Sequence, residues 1–249
     1  MVDQSKMPLG RKALRKDIRT LRLSKYLARV LPTPPEKVDW SVGIKQWGMM
    51  LNDRLGDCTI AALGHAIQTW TANTTGEATV PDLDIETAYE QWCGYNAADP
   101  QTDNGGVELD VLNDWRHQEQ GLSGHTLLGY ADPKLANLTE VRTAINLFGG
   151  LYIGLSLPLS AQNQGTWDLV SDRHLSEPGS WGGHAVFVLQ YDSDYFTCVT
   201  WGQLQKMTVD FWNRYVDEAH ALLSPDWIEQ KTTTGRFDLP TLQADLAAF

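Results

Sequence analysis

A chain of 249 residues, 42% hydrophobic and holding ten tryptophans, has the apolar mass for a packed core, which excludes a disordered polypeptide. Its net charge of −11 divides unevenly: residues 1–37 carry a net +7 and the rest a net −18, so nucleic acid is excluded as the main partner of the acidic body. No apolar run approaches the roughly 18 residues that a membrane span needs, and three cysteines are too few for a disulfide framework.

The N-terminal segment is basic and lacks the continuous apolar stretch of a secretory signal, which with the sparse cysteines points to a cytoplasmic location. Arg11 to Leu31 reads as one basic helix, with Leu14, Ile18, Leu21, Tyr26 and Val30 on an apolar side. Pro32-Thr33-Pro34-Pro35 ends it as a stiff linker. Three parts follow: a basic arm over 1–37, a body over 38–230 and a polar tail over 231–249. In the body, helices are expected from Cys58 to Ala72, Asp84 to Tyr95 (capped by Asp84), Val107 to Gln120, and Thr139 to Phe148, the last ended by Gly149-Gly150. Strands are expected over Leu151–Leu157, His184–Tyr191 and Tyr195–Trp201, followed by a helix from Asp210 to Leu223. Helices early and strands late predict an α+β molecule, a helical lobe followed by a β lobe.

Cys58 carries the chemistry. It closes the polar turn Asn52-Asp53-Arg54-Leu55-Gly56-Asp57 at the start of a helix, where free N–H groups and the macrodipole favour thiolate over thiol. An isolated helix cysteine is ordinarily packing, as Cys93 and Cys198 are read here. The turn before Cys58, and the histidine of Gly182-Gly183-His184-Ala185-Val186 at the mouth of a later strand, favour a nucleophile with a general base. His65 is the competing base, but two helical turns from Cys58 span about 10 Å, too far for direct proton transfer. His117, His125, His174 and His220 have no motif around them and read as surface or packing. Neither a Cys-x-x-Cys pair nor a His-x-x-x-His helix is present, so no metal and no cofactor is expected.

The order of these fragments resembles the papain-like cysteine protease family from about Pro35 to Leu223. Pro35-Glu36-Lys37-Val38-Asp39-Trp40 is similar to the start of a mature papain-type domain. Asn104-Gly105-Gly106 is similar to the loop whose backbone pairs with substrate, and Thr200-Trp201-Gly202 stands where the family has Asn-Ser-Trp-Gly. The resemblance implies a two-lobed papain-like fold, with an antiparallel β C-terminal lobe and an interlobe cleft. It implies a thiol hydrolase that cleaves peptide bonds through an acyl-enzyme on Cys58, with His184 as base and acid. Asn52, in place of the family's glutamine, would serve the oxyanion; Gly105, Gly106 and Gly183 would admit the substrate backbone; Trp201 would shield the histidine. The substrate class is a peptide or protein, and the arm is prosegment-like.

Three departures qualify this reading. Val199 holds the place of the family's third catalytic residue and cannot accept from imidazole; Thr200 can do so only if the hairpin register differs by one residue. Thr59 replaces a tryptophan, and Leu55 and Asp103 stand where the family commonly has half-cystines. Two alternatives therefore stay open: delivery of the acyl group to an amine, as in a transpeptidase or amide ligase, and a silent peptide-binding pseudo-protease.

Overall fold

The computed structural model describes residues 3–15, 17, 20–28, 33–229 and 237–247. In chain order the strands are β1 (Val38–Asp39), β2 (Gly129–Ala131), β3 (Leu151–Leu157), β4 (Thr166–Trp167), β5 (Gly182–Tyr191), β6 (Tyr195–Thr200), β7 (Gln203–Thr208) and β8 (Val216–Leu223). The helices are α1 (Cys58–Asn73), α2 (Asp82–Cys93), α3 (Glu108–His117), α4 (Leu138–Phe148), α5 (Val209–Tyr215), α6 (Pro225–Ile228) and α7 (Leu239–Ala247). The architecture is α+β and two-lobed: α1–α3 make the first lobe, and a twisted sheet ordered β2-β8-β3-β5-β6-β7-β4 makes the second. Its pairings are antiparallel except β4 with β7, and β1 adds to β5.

Helix α1 is the axis of the first lobe. Every residue from Cys58 to Thr71 is buried, so the one-sided pattern expected from Ile60, Leu63, Ile67 and Trp70 is a helix enclosed all round. Its polar members stay satisfied inside: Thr69 donates to His65 O, Thr71 to Ile67 O, and Trp70 Nε1 to Phe148 O. Strand β5 is the shared wall. Val186 and Val188 face the core of the β lobe, while Ala185, Phe187 and Leu189 face the core around α1, as the two-residue period of a strand requires.

Several boundaries move. Helix α2 starts after Pro81 rather than at Asp84, whose carboxylate accepts instead from Ser123. Asn137 rather than Thr139 caps α4, accepting from Glu140 N–H, and Gly149 closes it at φ +71°. The helix expected over 210–223 is two elements: α5 stops at Tyr215 and the chain continues as β8, paired with β2 on one side and β3 on the other. Ala, Glu and Leu prefer helix, but a strand inserted between two others gains a ladder on both edges, and that non-local term prevails.

The arm is not one helix. Leu14, Leu21 and Tyr26 are described, and the described residues are extended apart from short turns at Gln4–Lys6 and Leu23–Lys25; Ile18 and Val30 lie outside them. Beyond the local turns, its backbone and side-chain groups also pair with the rest of the chain. Gln4 bonds Gln205, Leu23 N–H donates to Asp132 O, Asp132 N–H donates to Leu21 O, and Asp238 N–H donates to Tyr26 O. Leu23 and Tyr26 are buried in the β-lobe core. Charge follows: Arg15 pairs with Asp110, Lys25 with Asp245 and Arg22 with Asp132. Of the tail, residues 231–236 lie outside the description and α7 follows.

Candidate active site

Cys58 opens α1 at the floor of a groove between the lobes, fully buried. The turn before it is braced without a disulfide. Gly56 N–H donates to both carboxylate oxygens of Asp103 (3.0 and 3.1 Å), and Tyr89 OH donates to Asp103 Oδ1 (2.6 Å). The position that resembles a half-cystine therefore performs the same tethering with a carboxylate.

Across the groove, Ala185 N–H donates to Cys58 Sγ at 3.4 Å, which sets the thiol beside the strand residue that follows His184. His184 Nε2 is bonded to Thr200 Oγ1 at 2.7 Å, and its Nδ1 has no hydrogen-bond partner among the described residues. The indole of Trp201 stacks on the imidazole, centroids 4.5 Å apart and planes 16° from parallel. Trp201 holds φ +47°, a conformation uncommon for a bulky residue, and Trp167 and Trp181 pack around it.

The partner of His184 is settled by a bulge. Near the hairpin turn Tyr191 pairs with Phe196 and Gln190 with Thr197; beyond Leu189 the register has moved by one, so that Val188 pairs with Cys198 and Phe187 with Val199. Continuing that ladder places Thr200 opposite Val186, on the face that carries His184, and turns Val199 into the core around α1. The one-residue difference that the sequence leaves open is this bulge.

Burial sets the protonation of both groups. Removal from water pushes the Cys58 thiol up to about 12, against the hydrogen bonds from Ala185 and Gly10 that act to lower it. It pushes His184 down to about 3. In this enclosed state desolvation acts against the low-pKa thiolate expected at a helix start, raising the thiol and lowering the imidazole. Asn52 also differs from expectation. Its amide donates to Asp57 Oδ1 (3.0 Å) and more weakly to Leu55 O (3.4 Å), so it is engaged inside the turn. Asp57 itself is raised well above the carboxylate range by burial. His65 is held by Gly48 O at 2.8 Å in the core.

What encloses the thiol is the arm. Gly106 N–H donates to Gly10 O (2.8 Å), Lys12 N–H to Gly106 O (2.8 Å) and Arg11 N–H to Gly183 O (3.1 Å). Gly106 and Arg11 form a parallel bridge, so Leu9 to Lys12 lies as an extended strand between the Gly105-Gly106 loop and Gly183. The glycines make this approach possible. A Cβ on Gly105 would overlap Gly10 O, one on Gly183 would overlap Arg11 O, and one on Gly10 would overlap Gly56 O.

The Arg11 side chain enters an ionic cluster that sequence reasoning missed. Nε reaches Glu108 Oε1 (2.8 Å), and Nη2 reaches Glu218 Oε2 (2.7 Å) and Asp217 Oδ1 (2.5 Å). His220 is not a surface or packing residue: Nδ1 meets Asp132 Oδ1 at 2.6 Å and Nε2 meets Glu218 Oε1 at 3.1 Å. Desolvation acts to lower His220, but Asp132 and Glu218 overcome it and raise it to about 10. No local motif announces this cluster, because its members come from the arm, α3, the residue that follows β2, and β8.

No family model matches the sequence, and no curated relative does. Solved structures match the fold. Xylellain, a cysteine protease from Xylella fastidiosa, superposes with a TM-score of 0.67 at 16% identity, over 87% of this chain and 96% of that one. Digestive procathepsin L 3 of the Tenebrio molitor larval midgut gives 0.57 at 14%, over 88% and 76%. The bromelain protease from Ananas comosus, in complex with the E64 inhibitor, gives 0.52 at 12%, over 76% and 98%.

Proposed function

Because this chain has the papain-like cysteine protease fold, we propose that it is a thiol hydrolase of peptide bonds, held inactive by its own arm. The observation that carries the reading is the seat of Leu9 to Lys12: the groove above Cys58 binds an extended peptide through the backbone of Gly106 and Gly183. A substrate strand in its place would meet the same donors and acceptors.

In this mechanism Thr200 Oγ1 accepts from Nε2–H of His184, which leaves Nδ1 as the lone pair able to take the Cys58 proton. The thiolate adds to the scissile carbonyl, and the oxyanion forms beside the Cys58 N–H at the start of α1. The imidazolium then protonates the departing amine and leaves a thioester on Cys58. Water, deprotonated by His184, attacks the thioester and releases the acid. Trp201 keeps bulk water off the imidazole face. The neutral resting pair follows from burial under the arm, so displacement of the arm rehydrates the thiol and brings the two pKa values together.

The test uses full-length Gly10→Ala, in which the new methyl collides with Gly56 O and expels the arm. This variant, mixed with a peptide ester, is expected to give an acyl adduct on Cys58 by mass spectrometry, absent from the same protein bearing Cys58→Ala. Peptide binding without an adduct would overturn hydrolysis in favour of a pseudo-protease. An adduct discharged mainly onto added amine rather than water would assign transfer.

A further inference from the structure

We infer that the groove beside Cys58 contains a subsite for the arginine side chain of a peptide substrate, built from Glu108, Asp217, Glu218 and Gly154, in which Arg11 sits as a placeholder. This rests on the reading that the groove takes peptides, and it names which peptides. The guanidinium of Arg11 is buried, its side chain 2% exposed, with those of Glu108 and Glu218 at 0% and 4%. Its planar fork presents Nη2, which hydrogen-bonds both Asp217 and Glu218, and an Nε edge that lies 2.8 Å from Glu108 Oε1 as an ion pair without a formed hydrogen bond. An ammonium group, a single point of charge, cannot reproduce that geometry. Gly154 sets the depth: a Cβ there would overlap Arg11 Nε and Cζ.

The walls stand without the arm. Ser156 Oγ donates to Asp217 Oδ2 at 2.6 Å, and His220 Nε2 holds Glu218 Oε1. When Arg11 leaves, Glu108 and Glu218 face each other out of water with only His220 as counter-charge, and Glu108 Oε2 already lacks a hydrogen-bond partner. Burial and the neighbouring Glu218 raise Glu108 to about 8, so with Arg11 gone the pair is relieved either by a proton on Glu108 or by another cation. A metal ion fits poorly. Glu108, Glu218 and His220 have the spacing for one, but both nitrogens of His220 are committed to carboxylates and offer no lone pair. A side chain can reach the site, since a cavity of about 810 Å³ borders Asp217, Glu218 and His220. The Arg11 backbone bonds Gly183 while that of Gly10 lies at the thiol, so the arginine subsite is one residue removed from the reacting position.

The test is alkylation of Cys58 by iodoacetamide in full-length Arg11→Ala, which vacates the pocket. Two capped tetrapeptides are compared as protectants: the arm sequence Leu-Gly-Arg-Lys, and the same peptide with citrulline, isosteric and neutral, for arginine. The arginine peptide is expected to protect at a concentration at least about tenfold lower, and Glu218→Gln on the same background to reduce that ratio below about threefold. Equal protection by the two peptides overturns the subsite, as does equivalent protection by zinc chloride alone. Should circular dichroism show Arg11→Ala unfolded, Gly154→Ala keeps Arg11 in the chain and displaces its guanidinium with a methyl group set against Arg11 Nε and Cζ and Glu108 Oε1. It is expected to accelerate Cys58 alkylation and abolish the arginine preference, and alkylation as slow as in the parent overturns the idea. Protection needs no turnover. Arginine preference without an acyl adduct leaves the subsite standing and removes the hydrolase, whereas equal adducts from arginine and citrulline esters do the reverse.

Discussion

In the proposed mechanism Thr200 orients His184, since its hydroxyl is the hydrogen-bond partner of Nε2 while Nδ1 has none among the described residues. Thr200→Val keeps the shape and removes the acceptor. Loss of one buried hydrogen bond is worth about 1–3 kcal/mol, so turnover of the arm-expelled protein is expected to fall about ten- to a hundredfold. KM should change little and Thr200→Ser should retain most activity. An equal loss in both variants would assign Thr200 to packing. The helix start at Cys58, the strand that carries His184 and the place of Trp201 beside that histidine were legible in the sequence, because each stands in a local motif. The orientation of Asn52 was not: its preference for Asp57 depends on a buried carboxyl that only the folded turn creates.

At the scale of elements, tertiary pairing decides what propensity leaves open. β5 was readable because its hydrophobic period agrees with its environment, and α1 because a polar turn leads into a long apolar run, although its burial on all sides was not foreseen. β8 was not, since its helix-forming composition is overruled by β2 and β3, and neither was the arm, whose helical spacing of leucines is spent on separate contacts with the body. The brace at Asp103 joins two elements distant in sequence, the turn before α1 and the loop after α2. Asp103→Ala strands Gly56 N–H and Tyr89 OH, and is expected to destabilise the protein by about 1–3 kcal/mol in denaturant titrations. Cys58 alkylation should accelerate with it. A change confined to stability, with alkylation unmoved, would show that the brace does not position the thiol.

For the whole molecule, buried histidines of opposite sign shape the response to pH. Desolvation lowers His65 to about 4 and His184 to about 3 from the ordinary 6.5, so the unfolded chain binds more protons below pH 6.5. Their contribution is present above 6.5 and is lost as the pH falls towards 4. His220 acts in the other direction: raised to about 10 by its carboxylates, it contributes fully below 6.5 and its share declines as the pH rises to 10. Glu108, raised to about 8, adds a decline from pH 4.5 to 8, so His220→Gln is expected to remove only the part of the alkaline decline of the thermal midpoint that extends from pH 6.5 to 10, and to leave the acid slope. A parent profile without an alkaline decline would contradict the charged state of His220.

Strand β5 belongs to both cores at once, Val186 and Val188 to one, Phe187 and Leu189 to the other. A molecule built in this way has no hinge line: no plane separates its halves without cutting a central strand. Its jaws cannot yawn to admit a substrate. What lies across the groove is the strap of Leu9 to Lys12, held by Gly106 and Gly183. Under the proposed function, control of access reduces to an exchange of one peptide for another along Gly106 and Gly183, a matter of occupancy rather than of shape.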